Sequence, residues 1–397
     1  MNAKAVIIIA FLLAVAGIFF FQWKSRQTGS SDSGSSSSTA TGKAPKDAVE
    51  ITFLYSTEKK EWIEASTAAF SKEHPNISVK LFGKGSLEAA QALVEGKDKP
   101  TLWSPADSLV LNLGGTDYET KNSARLFAPE GSEDAPQALV ITPLVFVAWE
   151  DRAQVLLKAG KGQITWKLLH DAVGSNQGWA AIGGNPEWGF VKLGHTDPTR
   201  SNSGLNALLS MTLEYYKKTS GIQVSDLLKP EYQTWIREIE KGVTGFEAST
   251  GTFMTDMIRF GPSKYDVAFV YENLAISQVE NAQGRWGNLK VYYPSTTLWS
   301  DHPVAILEGV WVTEPAKAAA RTYIKFLRSR AVQEQALVFG FRSADPSVPL
   351  KTSDARNPFT RLAQYGIQID IPPAATPPSG AVVKNLLTMW SRVVANR

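Results

Sequence analysis

The sequence predicts an α/β protein of two lobes, each a mostly parallel sheet flanked by helices, preceded by one transmembrane helix. Three observations predict it. Strand-like alternation hands over to helix-like stripes again and again, the signature of parallel strands joined by crossover helices. The run of such units occurs twice, and 397 residues exceed what one small core organises. The first 26 residues are set apart by an uncharged apolar run from Ala5 to Phe21.

That run is near the lower limit for a membrane span, and Trp23 suits an interfacial anchor before Lys24 and Arg26. A cleaved signal peptide competes, with Ala14 to Gly17 as its small-residue cleavage site. The mature chain would then begin with the apolar "IFFFQW", so an uncleaved anchor over 1–26 is the expectation. Residues 27–48, rich in Ser, Gly and Thr, read as a flexible linker.

The body reads from Val49. "VEITFLY" alternates Val49, Ile51, Phe53 and Tyr55 on one face, and a helix with Trp62, Ile63, Ala69 and Phe70 as its buried stripe follows. "ISVKLF" is a second strand, "GKGS" turns into a helix carrying Leu87, Ala90, Leu93 and Val94, and "KPTLWSPAD" supplies a third strand and turn. A second unit opens at "ALVITPLVFVAWEDR". In it Thr165 caps the helix "WKLLHDAV", and "WGFVKL" is a strand leading into "GHTDPTRSNSGLNALL". "YDVAFVY", "LKVYYP" and "HPVAIL" read as further strands, and Val382 to Val394 as an apolar-striped helix that packs back on lobe one. The divisions are lobe one over 49–142, lobe two over 143–293, and a return to lobe one over 294–397.

Composition removes whole classes of function. Lys plus Arg number 41 and Asp plus Glu 38, so nothing draws the chain to nucleic acid. With no cysteine and four scattered histidines, neither a disulfide nor a zinc site is expected, and no cofactor motif is present. In open parallel sheets ligands bind beyond the carboxyl ends of the strands. Those ends carry Ser56 and Thr57, Gly85 and Ser86, Trp103 and Ser104; each leads to a helix start, where free N–H groups favour anions. In lobe two Thr199, Ser201, Asn202 and Ser203 stand at a helix start, and Tyr271 and Glu272 end a strand. Each serine alone also reads as a plain helix cap.

The order of these pieces resembles the bacterial extracellular solute-binding proteins of the type II periplasmic-binding fold, near the molybdate- and sulfate-binding branch. "TEKKEWIEASTAAFSKEHPNISVKL", "KPTLWSPAD", "DPTRSNSGLNAL" and "EPAKAAARTYIKFLRSRAVQEQALVFGFRS" carry the resemblance across Val49 to Ser343. It implies two lobes closing on a small polar or oxoanion ligand, with hinges near Thr142-Pro143 and Tyr293-Pro294. It further implies an ABC-type permease, or another membrane complex, as partner. Ligand contacts carried over on the resemblance are Ser56, Thr57, Gly85, Ser86, Trp103, Ser104, Thr199, Ser201, Asn202, Ser203, Tyr271 and Glu272. The apparent anchor departs from the family's usual lipoprotein cysteine or cleavable signal, which keeps a non-transporting scaffold open. A third reading is a serine cell-wall enzyme, because "STEK" places Ser56 and Lys59 in SxxK spacing and "KTSG" stands at Lys218 to Gly221.

Overall fold

The structure, a computed structural model, describes residues 37–39 and 48–395. The expected membrane helix and most of the expected linker lie outside those residues. Three linker residues do not: β1 (Ser37–Thr39) pairs antiparallel with Lys80 to Phe82. An open sheet edge presents backbone groups that such a passing segment can complete. Among the described residues no helix is long and apolar enough to cross a membrane.

Lobe one is built on β2 (Val49–Tyr55), which runs parallel to β3 (Ile77–Gly83) on one side and β4 (Leu102–Ser104) on the other. The connecting helices are α1 (Lys60–Glu73) and α2 (Ser86–Val94). In α1, Trp62, Ile63 and Phe70 are buried at helical spacing, which seats it on the sheet. α3 (Ser108–Asn122) starts at Asp107, whose carboxylate accepts from the Leu109 amide at 2.7 Å. The short β5 (Gln137–Ala138) ends this passage.

The chain then enters β6 (Val140–Trp149), ten residues of which nine are buried. α4 (Glu150–Ala159), α5 (Trp166–Val173), β7 (Leu193–Gly194) and α6 (Asn202–Tyr215) follow. Then come α7 (Val224–Leu227), α8 (Pro230–Ile239), α9 (Thr250–Phe260), β8 (Val267–Tyr271), α10 (Glu272–Gln278), β9 (Leu289–Tyr292) and β10 (Trp299–Ser300). The second sheet corrects the expectation of a mostly parallel one. β8, β9 and β10 all run antiparallel to β6, and only β7 with β8 is parallel. The reason is topological: β6 carries the chain into this lobe, so strands that bring it back must run the other way. The expected strand "WGFVKL" shrinks to β7, because Pro186–Trp188 form a 3-10 turn and Asp266 takes the Lys192 amide.

On the return, β11 (Pro303–Ile306) inserts antiparallel between β4 and β5 in the first sheet. α11 (Glu314–Leu327) and α12 (Arg330–Val338) precede β12 (Arg342–Ser343), which pairs with Val140 and Ile141 of β6. α13 (Pro358–Arg361) and α14 (Gly380–Trp390) complete the chain. α14 was expected on lobe one; it bridges both lobes. Lys384 pairs with Asp117 of α3, while the Trp390 indole donates to Glu240 at 2.7 Å and Arg392 to Gln233 at 2.9 Å. Its apolar stripe is long enough to reach α3 at one end and α8 at the other.

Beside the chain crossing, Arg342 makes two 2.8 Å hydrogen bonds to the carboxylate of Glu272, and the Tyr293 hydroxyl donates to the same group. Both charges are buried. Removing one partner alone strands the other, which costs about 3–5 kcal/mol. Arg342→Met is therefore expected to lose that much stability in urea unfolding, and adding Glu272→Gln is expected to restore most of it.

Candidate functional site

The carboxyl ends of β2 and β4 meet lobe two across a buried polar layer. Lys59, one turn after Ser56, is fully buried, and its ammonium lies 2.6 Å from Ser56 Oγ and 2.9 Å from both the Ser104 and Pro105 carbonyl oxygens. Those three acceptors engage all three of its protons. Ser56 Oγ donates in turn to Glu58, and the Glu58 carboxylate stands 3.2 Å from Nδ1 of buried His302. Burial pushes Lys59 down to about 7, against the pull of Glu58 and Asp301. Burial opposes ionisation of Glu58, but the His302 hydrogen bond and the Lys59 charge outweigh it and hold it at about 2. Burial and Lys59 also lower His302. His302 adopts φ 41°, a left-handed conformation that a non-glycine residue keeps only where its surroundings enforce it. Its amide on Ala106 and its carbonyl under Leu139 do so.

Lobe two contributes the start of α6. Ser201 is its N-cap residue, yet makes no capping hydrogen bond. Its hydroxyl instead joins a ring in which Ser203 Oγ lies 2.7 Å from both Thr196 and Thr250. The buried amides of Asn202, Ser203 and Gly204 consequently have no acceptor among the described residues. A fourteen-residue helix thus starts with three buried, unbonded N–H groups at the positive end of its dipole. Farther round, the Asn202 amide donates to the Tyr271 hydroxyl at 3.0 Å, and Asn202 and Asn206 both approach Asp107 from across the cleft.

The residues singled out from sequence separate into three groups. Ser56, Ser104, Asn202 and Tyr271 lie in the polar layer, and Ser201 and Ser203 in the adjoining hydroxyl ring. Gly85 and Thr57 line the contact between lobes, Thr57 facing Gly251, while Ser86 Oγ accepts from the Ala106 amide at 3.0 Å within lobe one. At Gly85 a Cβ would come within 2.8 Å of the Arg200 carbonyl oxygen, so glycine permits this close approach of lobe two. Trp103, Thr199 and Glu272 are placed elsewhere. The Trp103 ring packs against Gly114 in the lobe-one core, exposed Thr199 bonds Asp197, and Glu272 is engaged by Arg342. Sequence reading missed Glu58, Asp107, Asn206, Ser300 and His302. Asn206 was open to detection, since it follows Asn202 by one helical turn. His302 was not, because chain topology brings it to Lys59.

The serine-enzyme geometry is half present. Ser56 and Lys59 touch, but Lys218 pairs with Asp226 at 2.8 Å and belongs to the α6–α7 connection in lobe two. Ser56 gives its proton to Glu58, and Lys59 donates to Ser56 Oγ rather than accepting from it.

Comparisons with known proteins agree with this layout. The family model "Bacterial extracellular solute-binding protein" matches residues 51–342. A thiosulfate-binding protein of Pseudomonas aeruginosa is 32% identical over 111 residues, which are 28% of this chain and 31% of that protein. The match therefore spans about a third of the curated relative's length. A sulfate-binding protein of Mycobacterium tuberculosis superposes with TM-score 0.53 at 17% identity, covering 85% of this chain and 96% of its own. A periplasmic thiamin-binding protein superposes with TM-score 0.61 at 13% identity, covering 89% and 99%.

Asp107 is 4% exposed and has no ion-pair partner among the described residues. Burial, with the Asp301 charge, pushes it up to about 6, against hydrogen bonds from Leu109, Asn206 and Asn202. A raised carboxylate makes the fold most stable while protonated, so stability falls as pH rises from about 4 through 6. In choline-salt buffer, which leaves the carboxylate without a small counter-ion, Asp107→Asn is expected to be more stable by about 2–3 kcal/mol above pH 6. It keeps the cap of α3. Melting curves between pH 4 and 7.5 check this, the variant losing the slope.

Proposed function

The chain belongs to the bacterial extracellular solute-binding proteins, and on that premise we propose that it captures a small polar or anionic solute between its lobes. It is a binding protein, not an enzyme. The observation that carries the reading is the uncapped, buried start of α6, where the amides of Asn202, Ser203 and Gly204 have no acceptor among the described residues. An oxoanion or carboxylate accepts from such amides without a full counter-charge, as helix N-termini allow. Ser56, Thr57, Gly85, Ser86, Ser104, Ser201, Ser203 and Tyr271 remain the proposed contacts or walls of that site. Closure then follows from affinity for the closed lobes alone, since a ligand shifts only an equilibrium it distinguishes. The reading extends to an anchor over 1–26, a body held outside the cytoplasm, and an ABC-type importer or sensing complex as partner.

The engagement of all three Lys59 protons favours a second reading, in which lobe one's half of the cleft is occupied by its own side chain and the protein serves as a scaffold.

Calorimetric titration and melting with sulfate, thiosulfate, molybdate, amino acids and sugars separate the two. A solute at one hundred times its Kd adds about 2.7 kcal/mol of stability. Ser201→Asp keeps a good N-cap residue and places a carboxylate on the free amides, so it is expected to abolish anion binding without loss of fold. Anion binding unaffected by Ser201→Asp overturns the assignment to α6, and silence across the panel supports the scaffold.

A further inference from the structure

Four polar atoms from three parts of the chain stand almost equally spaced. Asp107 Oδ2 from lobe one lies 3.3 Å from the Asn206 amide nitrogen, 3.5 Å from that of Asn202 and 3.5 Å from Ser300 Oγ. Ser300, on β10 beside the crossing strand, lies 3.4 Å from Asn202 and 3.5 Å from Asn206. As hydrogen bonds all five are long, so Oδ2 of this buried carboxylate is poorly satisfied, while its Oδ1 holds the Leu109 amide at 2.7 Å. Oδ1 of Asn202 and Oδ1 of Asn206 are at the same time buried without any hydrogen-bond partner. Each amide thus holds its oxygen idle while its nitrogen reaches weakly toward the carboxylate.

We propose that Asp107, Asn202, Asn206 and Ser300 form a binding site for one small cation, which ties lobe one to lobe two at the crossing strands. A half-turn of each amide about its Cβ–Cγ bond exchanges nitrogen for oxygen. It gives the cation two carbonyl oxygens, one carboxylate oxygen and one hydroxyl. The Tyr271 hydroxyl then donates to the Asn202 oxygen instead of accepting from its nitrogen. The spacing also selects the cation. Hard cations with bonds of about 2.4 Å in octahedral surroundings hold neighbouring oxygens about 3.4 Å apart, whereas Mg²⁺, at about 2.1 Å, draws them to about 3.0 Å. The site therefore fits an ion of Na⁺ or Ca²⁺ size, or a primary ammonium group at the end of a solute. The other charges nearby do not fill the role. Lys59 has all its protons engaged, Glu58 faces His302, and Asp301 accepts from Ser108. This site does not rest on the anion reading, which uses the backbone of α6 rather than these side chains.

The test is melting of the full chain in choline chloride, with Na⁺, Ca²⁺ or ethylammonium chloride substituted at constant ionic strength. A rise in Tm of roughly 2–5 °C is expected with at least one of the three, and saturably. It should vanish in Asp107→Asn and in Asn206→Leu and persist in Ser201→Asp, the variant aimed at anion binding. A response to Na⁺ or Ca²⁺ assigns a metal ion; one to ethylammonium alone assigns the ammonium end of a solute. No rise with any of the three, or a rise that survives both Asp107→Asn and Asn206→Leu, overturns the proposal while leaving the anion reading to its own test.

Discussion

The hydrogen-bond register of β6 is the constraint on which the rest of the molecule depends. Its first residues, Val140 and Ile141, pair with β12, Thr142 and Pro143 with β10, and Leu144 to Trp149 with β8 and β9. One strand therefore fixes where the chain crosses between sheets and how the returning segments lie. A slip of one residue would turn every side chain of β6 to the opposite face, and with nine of its ten residues buried no such slip is tolerable. The Thr142 hydroxyl accepts from the Asn273 amide, and the Asn273 side chain donates to the Glu58 carbonyl. The register is thus transmitted to the 3-10 turn that carries Lys59.

Burial gives the polar layer its character. Charges that would matter little on a surface become decisive when desolvated, because each must find a partner nearby. Lys59, Glu58 and Nδ1 of His302 satisfy one another, Glu272 is satisfied by Arg342, and Asp266 by Arg152, Lys192 and the Trp179 indole. The α6 amides, Asp107 and the two asparagine oxygens are left incompletely served where the two lobes face each other.

The fold was legible wherever a local pattern caused it. Alternation in "VEITFLY" and "ISVKLF" gave parallel neighbours, and Thr165 capped its helix as read. What escaped was non-local. No period in the sequence says that β8, β9 and β10 run against β6, since antiparallel pairing here follows from the route of the chain. In the site, hydroxyls at helix starts were visible, but their company was not. Ser56 could be seen three residues before Lys59, whereas His302 and Ser300 reach the layer only through the returning strand. Trp103 misled for a physical reason: at a strand end, an aromatic ring can face solvent or core, and the glycine at 114 opens room for it in the core.

The brace formed by α14 has a mechanical consequence. It is attached to α3 through Lys384 and to Glu240 through Trp390, and Glu240 is also bonded to His195, next to Thr196 of the hydroxyl ring. Any parting of the lobes would have to break the contacts of α14 at one of its two ends. In the proposed capture, the strap is anchored by an exposed ion pair on α3 and by a buried indole in lobe two, so the weaker, solvent-washed end is the one to yield first.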